Sequence, residues 1–290
     1  MQLPSGPWPA RITWLVLPLA VGGALGDALD GASRAVQVVG SVQAWGAWAA
    51  VLVAVLLPRT VSLTVLRTVA PLALVVAVWA AVVGEQGGAD VLAVAGAALA
   101  AVVAFLPTVG EAFVNGSSYG DERRMPLRVP GPLVLGPLPL TWLATVAAAV
   151  AAPLLLAAGQ WVAGAGLLVF GVPAAVVSAR ALHGLSRRWL VFVPAGVVVH
   201  DHHALADPVL FPRARIARFG PAPADEAGDA LDLTVGAYGL ALQLVLHEPV
   251  EVAPRTREEL RLQSVHRVLV TPTRPGAVLR EAGERRIPVG

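Results

Sequence analysis

The chain has 290 residues, of which 56% are hydrophobic and only 14% charged, with a mean hydropathy of +0.70. A soluble globular domain carries roughly 25% charged residues, so this chain has too few polar groups to cover its surface in water, and lipid is the expected solvent for the excess. The lack of cysteine excludes disulfides and thiolate metal sites, and a formal net charge of only +2 leaves no basis for a nucleic-acid-binding face.

The charges are unevenly placed. Residues 1–183 hold 8 Arg and 7 Asp or Glu, which leaves 13 of the 21 basic and 12 of the 19 acidic residues for 184–290. Two domains are therefore expected: a transmembrane helical domain over 1–183 and a cytoplasmic domain over 184–290. Every basic residue is Arg and none is Lys, which with the abundance of Ala, Val, Gly and Pro points to a GC-rich bacterial genome.

A helix that crosses the hydrocarbon core needs roughly 20 mostly apolar residues. Six stretches meet or approach this: 12–29, 36–57, 61–83, 91–109, 140–158 and 161–181. The first is diluted by Gly22, Gly23 and Gly26, and its basic start at Arg11 would also suit a signal peptide. No convincing A-x-A cleavage site follows, so a retained helix is expected. Small residues at helical spacing, Gly22 with Gly26 and the run 95–101, suit close helix packing in lipid. Pro71, Pro107, Pro153 and Pro173 fall within or near the helices and are candidate kinks.

Orientation follows from the excess of Arg in short cytoplasmic loops. With the N-terminus inside, the inner segments carry Arg11, Arg59, Arg123, Arg124, Arg128, Arg180, Arg187 and Arg188. The outer segments carry Arg34 beside Asp27, Asp30, Glu85 and Asp90. Both termini are expected in the cytoplasm. Arg67, about two turns into the third helix, and Glu111, past Pro107, read as interfacial residues, with Arg67 snorkelling toward the cytoplasm.

The longest inter-helix loop runs from Asn115 to Arg128 and on through Pro130, Pro132, Pro137 and Pro139. It reads as a solvated topology determinant, whose Asp121 and Glu122 pair with Arg123 and Arg124, or whose arginines meet lipid phosphates.

From Trp189 the pattern becomes that of short strands. The segments 189–200, 209–211 and 216–219 are apolar. The segment 231–235 alternates with period two, Gly236 to Gly239 makes a turn, and 240–247 reads as the second strand of a hairpin. A helical turn over 255–263, a last strand over 268–271 and a closing helix over 275–284 complete the domain.

The C-terminal hundred residues resemble the bacterial pleckstrin-homology-like domain. The resemblance rests on 189–200, on 205–213 with the strand after it, and on 268–280. With the segment 113–124, the whole chain is also similar to a family of uncharacterised actinobacterial membrane proteins. This implies a helical bundle of about six transmembrane helices followed by a small β-rich domain ending in a helix. It implies no activity, because domains of this fold differ in what they bind.

Candidate chemistry is sparse. His200, Asp201, His202 and His203 are residue types that bind zinc or nickel. They stand between two apolar runs, however, where a polar turn is expected, and no metal or other cofactor is assigned. Asp30 to Arg34 faintly resembles the metal motif of CDP-alcohol phosphotransferases, but the Arg spacing is one short and the further aspartates are missing. Arg213 and Arg215, if in a strand, share a face.

The candidate lipid-headgroup or interface residues are Arg123, Arg124, Arg128, Arg187, Arg188, Arg213 and Arg215. The expected role is non-catalytic: a scaffold, assembly or regulatory subunit in the inner membrane. Its expected partners are anionic inner-leaflet lipids and a protein, with a lipid or small-molecule transporter component as the alternative.

Overall fold

The computed structural model describes residues 6–84, 87–223, 230–255 and 262–290. The chain divides into two compact units, Met1–Ser117 with Pro139–His183 and Ser118–Leu138 with Gly184–Gly290. The second unit is thus wider than 184–290, because it recruits the loop between the fourth and fifth apolar stretches.

The helices of the first half are α1 (Trp8–Leu29), α2 (Arg34–Leu56), α3 (Thr60–Val83), α4 (Gly88–Ala104) and α5 (Pro107–Asn115). After α6 (Gly131–Val134) come α7 (Pro137–Ala157), α8 (Trp161–Gly166) and α9 (Val172–Leu185). The last two are joined through a π-helical turn, Leu167–Gly171, into one helix of 25 residues. The π turn ends two residues before Pro173, whose missing N–H cannot complete a regular ladder. Among the described residues, five helices are long and apolar enough to cross a membrane, and the pair α4 and α5, bent by 56°, makes a sixth if it is one broken span. These helices point to a membrane-embedded chain.

In lipid, packing and internal hydrogen bonds replace the hydrophobic effect as the glue between helices. The α3–α4 seam is built from alanines: Ala70, Ala77, Ala80, Ala93, Ala97, Ala100 and Ala104 are each 2% exposed or less. α4 approaches α1 at Gly96, where a Cβ would stand 3.0 Å from that of Ala20. Gly22 and Gly26, in contrast, have no neighbour within 4 Å of an added Cβ, so they are not where α1 packs. Polar N–H groups find carbonyls on neighbouring helices. Trp14 Nε1 donates to Trp48 O at 2.9 Å and Trp48 Nε1 returns the bond to Trp14 O at 3.0 Å. Gln43 Nε2 donates to Ala149 O, and Trp142 Nε1 to Thr68 O.

Among the described residues, the second unit consists of two four-stranded sheets, the short α6 and a closing helix. The first sheet has the order β1 (Arg123–Pro126), β2 (Trp189–Val193), β3 (Gly196–His200) and β4 (Val209–Pro212), all antiparallel. The second combines β5 (Ile216–Pro221), β6 (Leu231–Asp232), β7 (Leu242–Val252) and β8 (Gln263–Val270) in the order β5-β7-β8-β6. The helix α10 spans Pro275–Glu284.

Alternation places Phe192, Val197, Phe211, Leu242, Leu244, Val268 and Val270 in one core, closed by Val278 and Ala282 of α10. Strand β1 adds Met125, and Leu127 follows it into the same core. The chain beyond β1 ties the two sheets together. Leu127 bridges Pro272, Arg128 N donates to Thr271 O, and Thr273 N donates to Pro126 O.

Two expectations are corrected. The segment 231–235 does not form a hairpin with the strand after it. Only Leu231–Asp232 is strand, and it pairs in parallel with β8. Asp232 Oδ1 accepts from Thr234 N, an Asx turn that ends the strand. Val235 and Gly236 then adopt φ values of 54° and 69°, which no pleated strand contains. Arg213 and Arg215 lie not in a strand but in a single 3-10 turn, whose three residues per turn point them in different directions. The helical turn expected over 255–263 falls largely on residues 256–261, outside those described.

Candidate functional site

In the first unit, the chemistry lies where α4 breaks into α5. Pro107 supplies no N–H, so the ladder fails at residues 105–106 and carbonyls at the end of α4 lose their helical donors. Arg67 of α3 fills the gap: its Nε donates to Ala104 O at 3.3 Å, and its guanidinium carbon lies 5.5 Å from the centre of the Phe105 ring. A Cβ on Gly110 would stand 2.7 Å from Arg67 Nη2. Arg67 is therefore half-buried against the corner. Glu111, one residue on from Gly110, is 3% exposed. A broken helix offers backbone acceptors and close approach, and these draw Arg67 onto the corner. Arg67→Leu is expected to leave the Ala104 carbonyl short of a donor and to lower stability by about 1–3 kcal/mol, read as a lower thermal midpoint in detergent. Arg67→Lys should recover part of the loss.

In the second unit, the seven arginines singled out above are placed in different ways. Arg188 is 2% exposed and forms a two-pronged pair with Asp201, Nε to Oδ1 at 2.8 Å and Nη2 to Oδ2 at 2.6 Å, while Nη1 donates to Arg128 O. It is structural and is not open to lipid. Arg124 pairs with Glu122, Nε to Oε1 at 2.8 Å, and lies over the Trp189 ring. The Arg124 hydrogen bond holds the Glu122 carboxyl below the usual carboxylate range. Arg128 is half-buried, and its Nε has no acceptor among the described residues.

Arg123, Arg187, Arg213 and Arg215 are exposed. The register sets them at two ends of β2. Leu127 N bonds Arg188 O, which puts Arg128, Arg187 and Arg188 beside Trp189 at its start. Arg123 pairs with Phe192, and Arg213 N donates to Ala195 O, so these two lie near its end. Arg213 also reaches Arg285 O, and Arg215 makes a long, exposed contact with Glu248 at 3.4 Å. No single basic face unites the seven.

The residues 200–203 are divided in the same way. Asp201 is committed to Arg188 and to His203 N at 3.0 Å, and His200 stacks on Trp189 with centroids 5.1 Å apart. Among the described residues, no three His, Asp or Glu side chains converge on a point where a metal ion would sit. Burial pushes His202 and His203 below their ordinary value near 6.5; the His203 charge adds to this at His202, and the Arg188 charge adds at His203. The folded chain therefore binds these protons less readily than the unfolded chain. Their contribution to stability is complete above about pH 6.5 and is lost as the pH falls through that value toward the depressed folded pKa. The urea midpoint is expected to drop on acidification, and His202→Gln with His203→Gln should flatten that drop.

Sequence reasoning missed the contact of Arg67 with the α4–α5 corner, the β1 segment and two buried polar residues of the second sheet. Gln243 and Thr271 are 1% and 2% exposed, and their side-chain polar atoms have no partner among the described residues. An open depression of about 820 Å³ lies beside β6 and β8, lined by Asp232, Gln263, His266 and Arg267 among others. Compared with protein-family models, with curated proteins and with solved structures, the chain has no significant match.

Proposed function

We propose that this is a multi-pass protein of the bacterial cytoplasmic membrane, with both termini inside, that acts as a non-catalytic scaffold, assembly or regulatory subunit. Its second unit is a pleckstrin-homology-like domain held at the cytoplasmic leaflet. The two sheets and closing helix support that resemblance. One observation carries the reading: the second unit is assembled from chain on both sides of α7–α9. It is therefore tethered to the membrane helices at three points, after α5, before α7 and after α9.

The same arrangement supports the topology. Because β1 and β2 share a sheet, the chain must cross the membrane an even number of times between them, which α7 and the helix Trp161–Leu185 provide. With the N-terminus inside, the bent pair α4–α5 completes four crossings before β1.

The test is purification of the tagged chain from gentle detergent, with mass spectrometry of bound proteins and lipids. A protein partner in fixed ratio, lost when 189–290 are deleted, is the expected result. One enriched lipid with no protein partner would remove the scaffold reading. A lipid or small-molecule transporter component is the second reading, favoured by Arg67 and buried Glu111 at a broken helix, a place where transporters bind cargo or coupling ions.

A further inference from the structure

Two segments of the second unit carry apolar side chains into open space where a soluble surface would carry charge. One is α6 with the residue after it; the other is the turn 236–240 that precedes β7. No Asp, Glu, Arg or Lys occurs between Arg128 and Arg180, nor between Asp232 and Glu248. Leu135 is 84% exposed, Tyr238 71%, Leu240 51% and Val134 42%.

The two segments are joined. Gly131 N donates to Gly236 O at 3.1 Å, and Pro132 packs against Gly236. A Cβ on Gly131 would stand 2.7 Å from Tyr238 Cε2, so only glycine lets the ring lie on the α6 backbone. They form one apolar ridge. Arg128 lies at its base, since a Cβ on Gly239 would stand 2.7 Å from Arg128 Nε.

Chain continuity says what covers this ridge. Val134 stands three residues before Pro137, the first residue of α7, a reach of at most about 11 Å. α7 is one of the helices apolar enough to cross a membrane. α6 therefore lies at the level where the chain enters the bilayer, and the turn 236–240, bonded to α6, lies there with it. That level is the one aromatic rings with a polar tip prefer. It also holds the phosphates that attract a juxtamembrane Arg.

We propose that the ridge formed by α6, Leu135, Tyr238 and Leu240 is inserted into the interfacial layer of the bilayer beside the start of α7. The second unit is then seated on lipid by an apolar wedge, with Arg128 behind it, and not by a general basic face. This rests on the reading that α7 crosses the membrane and that the second unit lies on its cytoplasmic side.

The cysteine-free chain allows a nitroxide label at one site at a time. The full chain is reconstituted in phosphatidylcholine–phosphatidylglycerol vesicles with labels at Tyr238→Cys, Leu240→Cys or Leu135→Cys. Each label is expected to collide with oxygen, relative to a water-soluble nickel chelate, several-fold more often than one at the exposed Glu284→Cys. Ratios at 238 and 240 equal to that at 284 would overturn the insertion. Each variant must first match the parent in thermal unfolding, and two independent turn positions guard against a local distortion. The side is read separately, by labelling Glu284→Cys in intact cells with an impermeant maleimide. Labelling there would overturn the cytoplasmic reading on which the proposal rests. Protection there, with water-like ratios at 238 and 240, would overturn the insertion alone.

Discussion

Residues 184–290 produced alone will fail to fold cooperatively, whereas the same residues joined to 118–138 through a flexible Gly/Ser linker will fold. The reason lies in what the 118–138 segment supplies. Its strand β1 pairs along its whole length with β2, from Arg123 opposite Phe192 to Pro126 opposite Trp189. Met125 and Leu127, 3% and 6% exposed, fill the core shared by both sheets. Removing a buried Met or Leu side chain costs about 2–5 kcal/mol. Two such losses approach the roughly 5–15 kcal/mol that holds a whole domain together. The segment also takes the Arg188 Nη1 bond at Arg128 O and caps the end of β8. Near-ultraviolet circular dichroism and urea titration of the two proteins will separate them. In the full chain, Leu127→Ala should lower stability by about 2–5 kcal/mol.

Asp201→Ala should be nearly as damaging as loss of the strand. The Arg188 and Asp201 side chains are 1% and 0% exposed, so removal of the carboxylate leaves a guanidinium with no counter-charge in the core. Breaking a buried pair from one side costs about 3–5 kcal/mol, while replacing both partners by apolar groups is often close to neutral. Arg188→Met combined with Asp201→Leu is therefore expected to recover more than half of the loss. Full recovery is not expected, because Arg128 O and His203 N each lose a partner, worth about 1 kcal/mol apiece. A double-mutant cycle by urea titration measures the difference. Equal damage from the single and double variants would mean that the two backbone contacts, and not the charge pair, hold this corner.

The membrane helices and the closing helix were legible because their signals are local. Long apolar runs mark α1, α2, α3 and α7 to within a few residues, and Pro275 with Gly283 frames α10. The fourth stretch was legible as apolar, with Pro107 as a candidate kink, but the contact that answers the break was not. Pro107 announces the break, but the answering Arg67 lies on another helix, 37 residues away in the chain from the carbonyl it meets.

What depends on distant pairing was hidden. The segment 123–126 is four residues long, ends in Pro and sits in a stretch rich in turn-formers, so nothing local marks it as a strand. Its identity comes from β2, more than sixty residues later. The alternation at 231–235 suggested a hairpin because register is usually set by the nearest turn. Here the positive φ at Val235 carries the chain away, and β6 pairs with β8. The basic residues were legible as a set but not by role, because Arg188 becomes a core ion pair only once Asp201 is brought beneath it.

The most direct test of the account is the sidedness of single cysteines in intact cells, using a membrane-impermeant maleimide. Asp30→Cys and Gln160→Cys are expected to be labelled from outside, and Tyr119→Cys and Glu284→Cys only after the membrane is opened. Labelling of Tyr119→Cys and Glu284→Cys in intact cells would contradict this topology by placing the second unit outside; with Asp30→Cys labelled as well, the bent pair α4–α5 would be a re-entrant loop rather than a crossing.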